Sequence, residues 1–137
     1  PIAAAAAMAN LDIIEREDLV GKCATTGAYF QKKLNEVADK HPLVGQVRGV
    51  ALLAGVELVA DREKKVPLPL SSKAAPRLAA HCLEEGLVSR ALMQMNAVSF
   101  SPPLVITESE VDEMLARFDR ALVKTADELV KEGLWKG

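Results

Sequence analysis

The spacing of apolar residues predicts two helices in the first third of the chain. Residues 2–16 are mostly good helix formers with an all-small face, and Pro1 stands just before their first turn. A second helix over residues 19–40 is predicted to start at a capping Asp18 and to end before Pro42. Its apolar residues step by three and four, as one buried stripe requires: Val20, Cys23, Gly27, Phe30, Leu34 and Val37.

The middle of the chain has the period of a strand. Residues 43–61 are rich in Val, Leu and Gly, and their glycines permit a bulge or the close approach of a second backbone. Two short strands or one bent strand fit this segment. One side of the period-two pattern holds Val50, Leu52, Ala54, Val56 and Leu58. Residues 61–72 are charged and then interrupted by prolines, which is typical of a surface loop.

A third helix and a second pair of strands follow. The helix is predicted to begin after a capping Ser72 and to end at Gly86, which suits a left-handed C-terminal position. Residues 86–90 and 97–101 have strand composition, and residues 91–96, "ALMQMN", are predicted to join them as a loop.

The last helix has the clearest start signal in the sequence. Thr107 and Glu110 form the T-x-x-E pattern of a capping box. We expect the tail, residues 131–137, to fray. The apolar face of this helix consists of Val111, Met114, Leu115, Phe118, Leu122 and Leu129.

The order of elements, α-α-β-β-α-β-β-α, predicts an α+β fold (an α/β sandwich) with helices on one side of a short, mainly antiparallel sheet. A chain of 137 residues, 50% of them hydrophobic, has the size of one domain. The chain begins at Pro1 without an initiator Met, so we expect it to be a fragment of a longer protein.

Charge and composition exclude several classes of protein. Seventeen basic and 19 acidic residues leave a net charge of -2, so neither nucleic acid nor an anionic membrane is an expected partner. The Ala-rich N-terminus lacks a basic leader and is interrupted by Asp12 and Glu15, which excludes a signal peptide and a membrane span. Cys23 and Cys82 have no CxxC neighbour, and we expect them to be buried thiols in a reducing cytoplasm.

Self-sufficient catalytic motifs are missing from the sequence. There is no GxSxG, HExxH, GxGxxG or P-loop pattern. His41 adjoins a helix-ending proline, and His81 precedes Cys82 at a spacing that does not suit metal ligation, so structural roles are favoured for both. Glu84 and Glu85 are adjacent and point to different helix faces, which argues against a carboxylate pair. We expect no catalytic, cofactor-binding or metal-binding residue in this chain.

Two arginines lie inside apolar strand patterns, where a cation needs an anionic partner or solvent. Arg48 alternates with Val47, which favours a solvated strand face or an intramolecular ion pair. Arg90 is predicted to end a strand at the mouth of a loop, where a guanidinium could bind a carboxylate with two parallel hydrogen bonds. The pattern alone leaves both carboxylate binding and a surface role open for Arg90.

Three segments together resemble a known family. In order, "PIAAAAAMANLDIIERED", "LVGQVRGVALLAGVELVAD" and "GLVSR…SFSPPLVITESEVDEML" are similar to the C-terminal part of class III aminotransferases dependent on pyridoxal phosphate (PLP), especially the omega-transaminase branch. The resemblance runs from Pro1 to about Leu129. It implies a fold-type-I enzyme, usually a homodimer, that transfers an amino group between an amine or amino acid and a keto acid such as pyruvate.

The resemblance also implies how this chain would be divided. Residues 1–16 would be a helix entering a small C-terminal domain of residues 17–132, with residues 133–137 as a tail. In the family a large domain holds PLP, and its Schiff-base lysine, pyridine-pairing aspartate and phosphate-binding residues precede the segment that matches Pro1. This chain alone is therefore expected to be inactive and not to bind PLP.

One site residue follows from the resemblance. Arg90 matches the omega-transaminase arginine that binds the substrate carboxylate and swings aside for an amine without one. Relatives often continue with a short Gly-Asp loop, whereas residues 91–96 are longer and methionine-rich; Arg48 has only a structural counterpart. Two alternatives remain open: an aminomutase or dialkylglycine decarboxylase of the same fold, and a non-enzymatic α+β interaction or dimerisation module.

Overall fold

Four helices and five strands make up the computed structural model, which describes residues 1–137. The helices are α1 (Ile2–Arg16), α2 (Leu19–Ala38), α3 (Ala74–Glu84) and α4 (Glu108–Lys131). The strands are β1 (Val44–Val50), β2 (Leu53–Asp61), β3 (Val66–Pro67), β4 (Arg90–Leu92) and β5 (Ala97–Phe100). All strand pairs are antiparallel, in the order β1-β2-β5-β4, and β3 pairs with β2. The predicted α+β fold is confirmed.

One face of the sheet carries the core. Val56, Leu58 and Val98 point from β2 and β5 into one cluster with Phe30 of α2 and Phe118 of α4. The opposite face holds exposed or half-buried residues: Arg48, Gly55, Glu57, Arg90 and Ser99. Because side chains alternate along each strand, these two sets occupy different faces. Helices on one side of the sheet are therefore also confirmed.

Local start and stop signals were predicted well. The Asp18 carboxylate accepts a hydrogen bond from the Gly21 N–H at 3.3 Å. Both halves of the capping box form, since the Thr107 hydroxyl accepts from the Glu110 N–H and the Glu110 carboxylate accepts from the Thr107 N–H. Gly86 has φ +77° after the end of α3, as a left-handed terminating residue should.

The prediction put one residue, Val50, on the wrong face of the sheet, next to the turn between β1 and β2. Val50 pairs with Leu53 across a two-residue turn and is 72% exposed, because Ala51 and Leu52 form the turn and break the period-two pattern. Ala51 takes φ +49°, and the Gln31 side-chain amide of α2 donates to its carbonyl at 2.9 Å. Gly27 lies against this turn, where a Cβ would come within 2.4 Å of the Ala51 Cα.

Other helix predictions were wrong where they depended on packing. None of the residues of α1 is buried, so its small face contributes nothing to the core. Val20 is exposed, because Leu19 is the buried residue of the first turn of α2. Ser72 does not cap α3, since it lies in a short 3-10 turn and Lys73, at φ +51°, precedes the helix.

One segment was predicted to be a surface loop and another a frayed tail, but parts of both are ordered and packed against the rest of the chain. Residues 61–72 include β3 and the buried Leu68. At the C-terminus Trp135 is only 8% exposed, and its indole N–H donates to the Ala60 carbonyl at 3.1 Å. The tail therefore packs against β2. No helix is both long and apolar enough to cross a bilayer.

Candidate functional site

Arg90 begins a strand rather than ending one. The ladder between β4 and β5 starts with Arg90 opposite Ser99 and continues to Leu92. The predicted strand at residues 86–90 is wrong because Gly86 and Leu87 complete the end of α3, where the Leu87 N–H donates to the Cys82 carbonyl at 2.8 Å. Backbone groups engaged in a helix terminus are not free to pair with a neighbouring strand.

The loop after Arg90 is correspondingly shorter than predicted. Residues 91 and 92 belong to β4, and Met93–Met95 form a single 3-10 turn. Asn96 then takes φ +44°, which asparagine tolerates, and its amide donates to the Leu68 carbonyl at 2.9 Å. The exposed Met93 and Met95 do not line the cleft in which Arg90 lies. The methionine-rich turn is thus not a wall of that cleft.

The cleft has a volume of about 420 Å3 and lies where β4 begins and β5 ends. No acidic residue lines it. Its apolar wall includes Pro102, Pro103 and the first turns of α4 at Met114. Its polar residues are Arg90 and three serines, Ser89, Ser99 and Ser101, of which Ser89 has a buried hydroxyl. Such a set of hydrogen-bond donors, with no competing carboxylate, suits an anion.

Arg90 differs from the other arginines in having no partner. Every other arginine of the chain has a carboxylate oxygen within 4.0 Å of its guanidinium. Arg48, for example, pairs with Glu57 at 2.8 Å, the intramolecular pair favoured for it from the sequence. Arg90 is exposed and makes neither an ion pair nor a side-chain hydrogen bond. Its planar fork of donors therefore remains available for a ligand.

Side chains of α4 bind residues 85 and 86, which come just before the residues of the cleft in the chain. The Arg117 guanidinium donates to the carbonyls of Glu85 and Gly86, at 2.9 and 3.2 Å. The Glu85 carboxylate accepts from Arg120 at 2.7 Å and lies 2.6 Å from the Lys124 ammonium. These contacts were missed from the sequence, where α4 was considered mainly for its apolar face. Basic residues at spacings of three and four on α4 were the available signal.

The ion pairs of Glu85 with Arg120 and Lys124 lead to a prediction about the stability of the chain in acid. Hydrogen bonds from Lys124 and then Arg120 lower the pKa of Glu85 from its ordinary 4.5 to about 2. A lowered folded-state pKa contributes stability that is complete above the unfolded value and is lost as the pH falls through the folded one. We expect Glu85→Gln to be less stable than the parent chain at pH 7, with the difference shrinking between pH 4.5 and about 2.

Urea unfolding of both chains across this pH range measures the effect. The exposed Glu63→Gln is a suitable control, because Glu63 makes no ion pair. A stability difference between Glu85→Gln and the parent that is the same at pH 7 and pH 2 would show that the ionised carboxylate is not the stabilising species.

The two histidines lie outside the cleft, at contacts with α4. His41 Nε2 is 2.7 Å from the Asp119 carboxylate, and His81 Nε2 is 2.8 Å from Glu128. Cys82 is buried, and burial raises the pKa of its thiol. No group of three or more His, Cys, Asp or Glu side chains is placed to hold a metal ion.

A second cluster joins α3 to α4 away from the cleft. The Arg77 guanidinium binds the Glu132 carboxylate through two hydrogen bonds, at 2.9 and 2.8 Å, and also contacts Glu128. Its Nε donates to the Ser72 carbonyl at 2.9 Å. The sequence did not indicate this cluster, because Glu128 and Glu132 are 51 and 55 positions from Arg77 along the chain. It stabilises the packing of α3 against α4 and presents no free donor set.

Comparison with known proteins agrees with the fold. The sequence model described as "Aminotransferase class-III" matches residues 1–122. This chain therefore belongs to the class III aminotransferase family, which confirms the resemblance inferred from its three segments.

Individual relatives are aminotransferases and related enzymes. Diaminobutyrate-2-oxoglutarate transaminase of Halomonas elongata is 46% identical over 129 residues, which cover 94% of this chain and 28% of that enzyme. Isoleucine 2-epimerase of Lentilactobacillus buchneri is 40% identical over 121 residues, covering 88% of this chain and 26% of the epimerase.

Solved structures share the fold closely. A structure described as "Directed Evolution of Transaminases By Ancestral Reconstruction" superposes with a TM-score of 0.90 at 53% identity, covering 94% of this chain and 28% of that one. The omega transaminase from Pseudomonas jessenii in complex with PMP gives a TM-score of 0.87 at 41% identity, covering 95% and 28%. This chain thus spans 28% of the length of these two structures.

Proposed function

We propose that this chain is the small, substrate-facing domain of a PLP-dependent aminotransferase, and that Arg90 binds the carboxylate of its amino-acid or keto-acid substrate. The observation that carries the proposal is the unpaired guanidinium of Arg90 in a cleft without acidic residues. In the resemblance drawn from the sequence, the same residue occupies the position of the carboxylate-binding arginine. Pattern, geometry and family membership support the same role.

The rest of the enzyme would supply what this chain lacks. In this proposal α1 enters the small domain from a large PLP-binding domain, residues 17–132 form the small domain, and residues 133–137 are its tail. Support comes from the relatives, of which this chain spans about 28%. We further propose a homodimer acting in the cytoplasm on a small amine and a keto acid.

The residues of the Arg90 cleft do not fit PLP itself. No lysine that could form a Schiff base and no aspartate that could pair with a pyridine nitrogen lines the cleft. The donor set instead fits a carboxylate. The Pseudomonas jessenii structure, described as a complex with PMP, supports a cofactor of this type elsewhere in the full enzyme. The part played by this chain is to bind and orient the substrate.

Arg90 has the properties that orientation requires. A guanidinium offers a carboxylate two parallel hydrogen bonds, which fix both its position and its plane. Fixing the carboxylate also fixes the neighbouring carbon relative to the reacting group of the enzyme. Because Arg90 is exposed and its guanidinium has no ion pair or hydrogen bond within the chain, it can remain in solvent when the substrate is an amine without a carboxylate.

The test is Arg90→Ala in the full-length enzyme, with pyruvate and a simple aldehyde compared as amino acceptors. Loss of a charge-assisted bidentate contact, worth about 1.5–3 kcal/mol, should raise the KM for pyruvate about 10- to 100-fold. The KM for the aldehyde should not change, because it offers no carboxylate. Arg90→Lys, which keeps the charge but not the fork, should have an intermediate effect. Equal effects on both acceptors, or none on either, would contradict the role.

The epimerase relative supports a second candidate, a racemase or epimerase with the same small domain. An amino acid is also the substrate in that case, so the role of Arg90 would be unchanged. The two reactions are distinguished by incubating the full-length enzyme with one enantiomer of an amino acid in the absence of a keto acid. Loss of optical activity without net amino transfer would favour the epimerase.

A further inference from the structure

Four residues form one row across the open face of the sheet. Arg48 lies opposite Gly55, Gly55 opposite Ser99, and Ser99 opposite Arg90, on β1, β2, β5 and β4 in turn. Directly opposed residues point to the same face and lie about 5 Å apart at their Cβ atoms. Arg90, the free cation, and Arg48, the cation paired with Glu57, therefore stand at the two ends of the row.

Gly55 has no explanation inside the chain. A Cβ on Gly45 would come within 2.3 Å of a Val59 methyl, and one on Gly49 within 2.2 Å of the Leu53 carbonyl, so those strand glycines are required by close packing. A Cβ on Gly55 would meet nothing nearer than 3.9 Å, and Gly55 is not among the residues with positive φ. Glycine weakens a strand interior and often marks the close approach of a ligand. Neither close packing within this chain nor backbone conformation therefore requires glycine at position 55.

Ser99, between Gly55 and Arg90, has a hydroxyl that is free to act. It lines the same cleft as Arg90 and is half-buried. Its hydroxyl makes no hydrogen bond to another group of the chain. Its place directly opposite Arg90 puts its hydroxyl within reach of an anion held by the guanidinium.

We propose that Gly55 keeps open a trough on the sheet face beside Arg90, and that Ser99 in this trough donates an additional hydrogen bond to the substrate carboxylate. The inference rests on the proposed role of Arg90 and extends it to two specificity-determining residues. The substrate class is a carboxylate-bearing amino or keto acid that lies across β5 toward β2. Arg48 adds no free charge to the trough, because Glu57 neutralises it.

The first test is a size series at position 55 in the full-length enzyme, Gly55→Ala and Gly55→Val. Neither change should lower the melting temperature, because a Cβ at position 55 makes only ordinary contacts, at 3.9 Å or more, and valine favours strands. We expect the KM for pyruvate to rise with side-chain size, by about tenfold for valine if about 1.4 kcal/mol of binding is lost. The KM for an aldehyde acceptor and the kcat for both should not change. Leu53→Val, an exposed change two positions along the same face, is the matched control.

The second test is at Ser99. Ser99→Ala should raise the KM for pyruvate about fivefold, the loss of one hydrogen bond of about 1 kcal/mol, and leave the aldehyde unaffected. Ser99→Thr keeps the hydroxyl and should restore the parent KM. If Ser99 only stabilised the strand, its replacement would change the KM for pyruvate and the KM for the aldehyde alike. The alanine and threonine variants would then not differ in their selectivity for pyruvate.

The outcomes separate this inference from the role of Arg90. If Arg90→Ala raises the KM for pyruvate selectively while the Gly55 and Ser99 variants leave it unchanged, the trough is wrong and the proposed function stands. If Arg90→Ala has no selective effect, the proposed function fails and the trough fails with it. A fall in melting temperature for Gly55→Ala would also overturn the inference, because it would show that packing within the folded enzyme, and not room for the substrate, needs this glycine.

Discussion

Replacing Phe118 with Ala is expected to lower the free energy of unfolding by about 4 kcal/mol, in the range typical of a fully buried phenylalanine. Phe118 has no exposed surface and meets Phe100 edge to face, with the ring centroids 4.9 Å apart. The substitution removes that contact and leaves a cavity between α4 and β5. Because β5 carries Ser99 and pairs with Arg90, this cavity lies directly behind the proposed carboxylate site.

Urea unfolding of the variant and parent chains measures this loss. Phe118→Leu, which keeps most of the volume, should cost about 1.5 kcal/mol or less. Val123→Ala, at an exposed position of the same helix, should change stability by no more than about 0.5 kcal/mol. If Phe118→Ala were no worse than Val123→Ala, the packing of α4 on β5 described above would be incorrect.

Trp135→Ala is expected to lower the free energy of unfolding by about 3 kcal/mol, although Trp135 is the third residue from the end of the chain. The indole ring is 8% exposed, and its N–H donates to the Ala60 carbonyl of β2. A terminal residue that frayed would contribute almost nothing. The prediction therefore distinguishes the observed packing from the expectation based on sequence position.

Two further variants show what the Trp135 contribution to stability consists of: one isolates the hydrogen bond, and the other is a control at the next position. Trp135→Phe keeps an aromatic ring but loses the hydrogen bond, so it should cost about 1 kcal/mol, plus a smaller loss of packing. Lys136→Ala, at the exposed neighbouring position, should be nearly neutral. Equal unfolding free energies for Trp135→Ala and Lys136→Ala would mean that the tail is not part of the folded domain in solution.

The sequence identified Arg90 as a candidate but did not establish its surroundings. Its strand was predicted to end at Arg90, whereas β4 begins there, because the end of α3 occupies Gly86 and Leu87. That Arg90 alone among the arginines lacks a carboxylate partner depends on where every acidic side chain folds. In the sequence Gly55 is likewise one of several strand glycines, and only the folded structure distinguishes it from those that close packing requires.

By itself the sequence determined the helix caps at Asp18 and Thr107, the turn at Gly86, the α+β order of elements and the resemblance to class III aminotransferases. The caps and the turn depend on residues within a few positions of one another, so local pattern is sufficient. Only the tertiary structure decided the exposure of Val50, the packing of Trp135 and the freedom of Arg90. Each of these depends on the folded chain around it, as in the contact between Trp135 and Ala60, which are 75 positions apart.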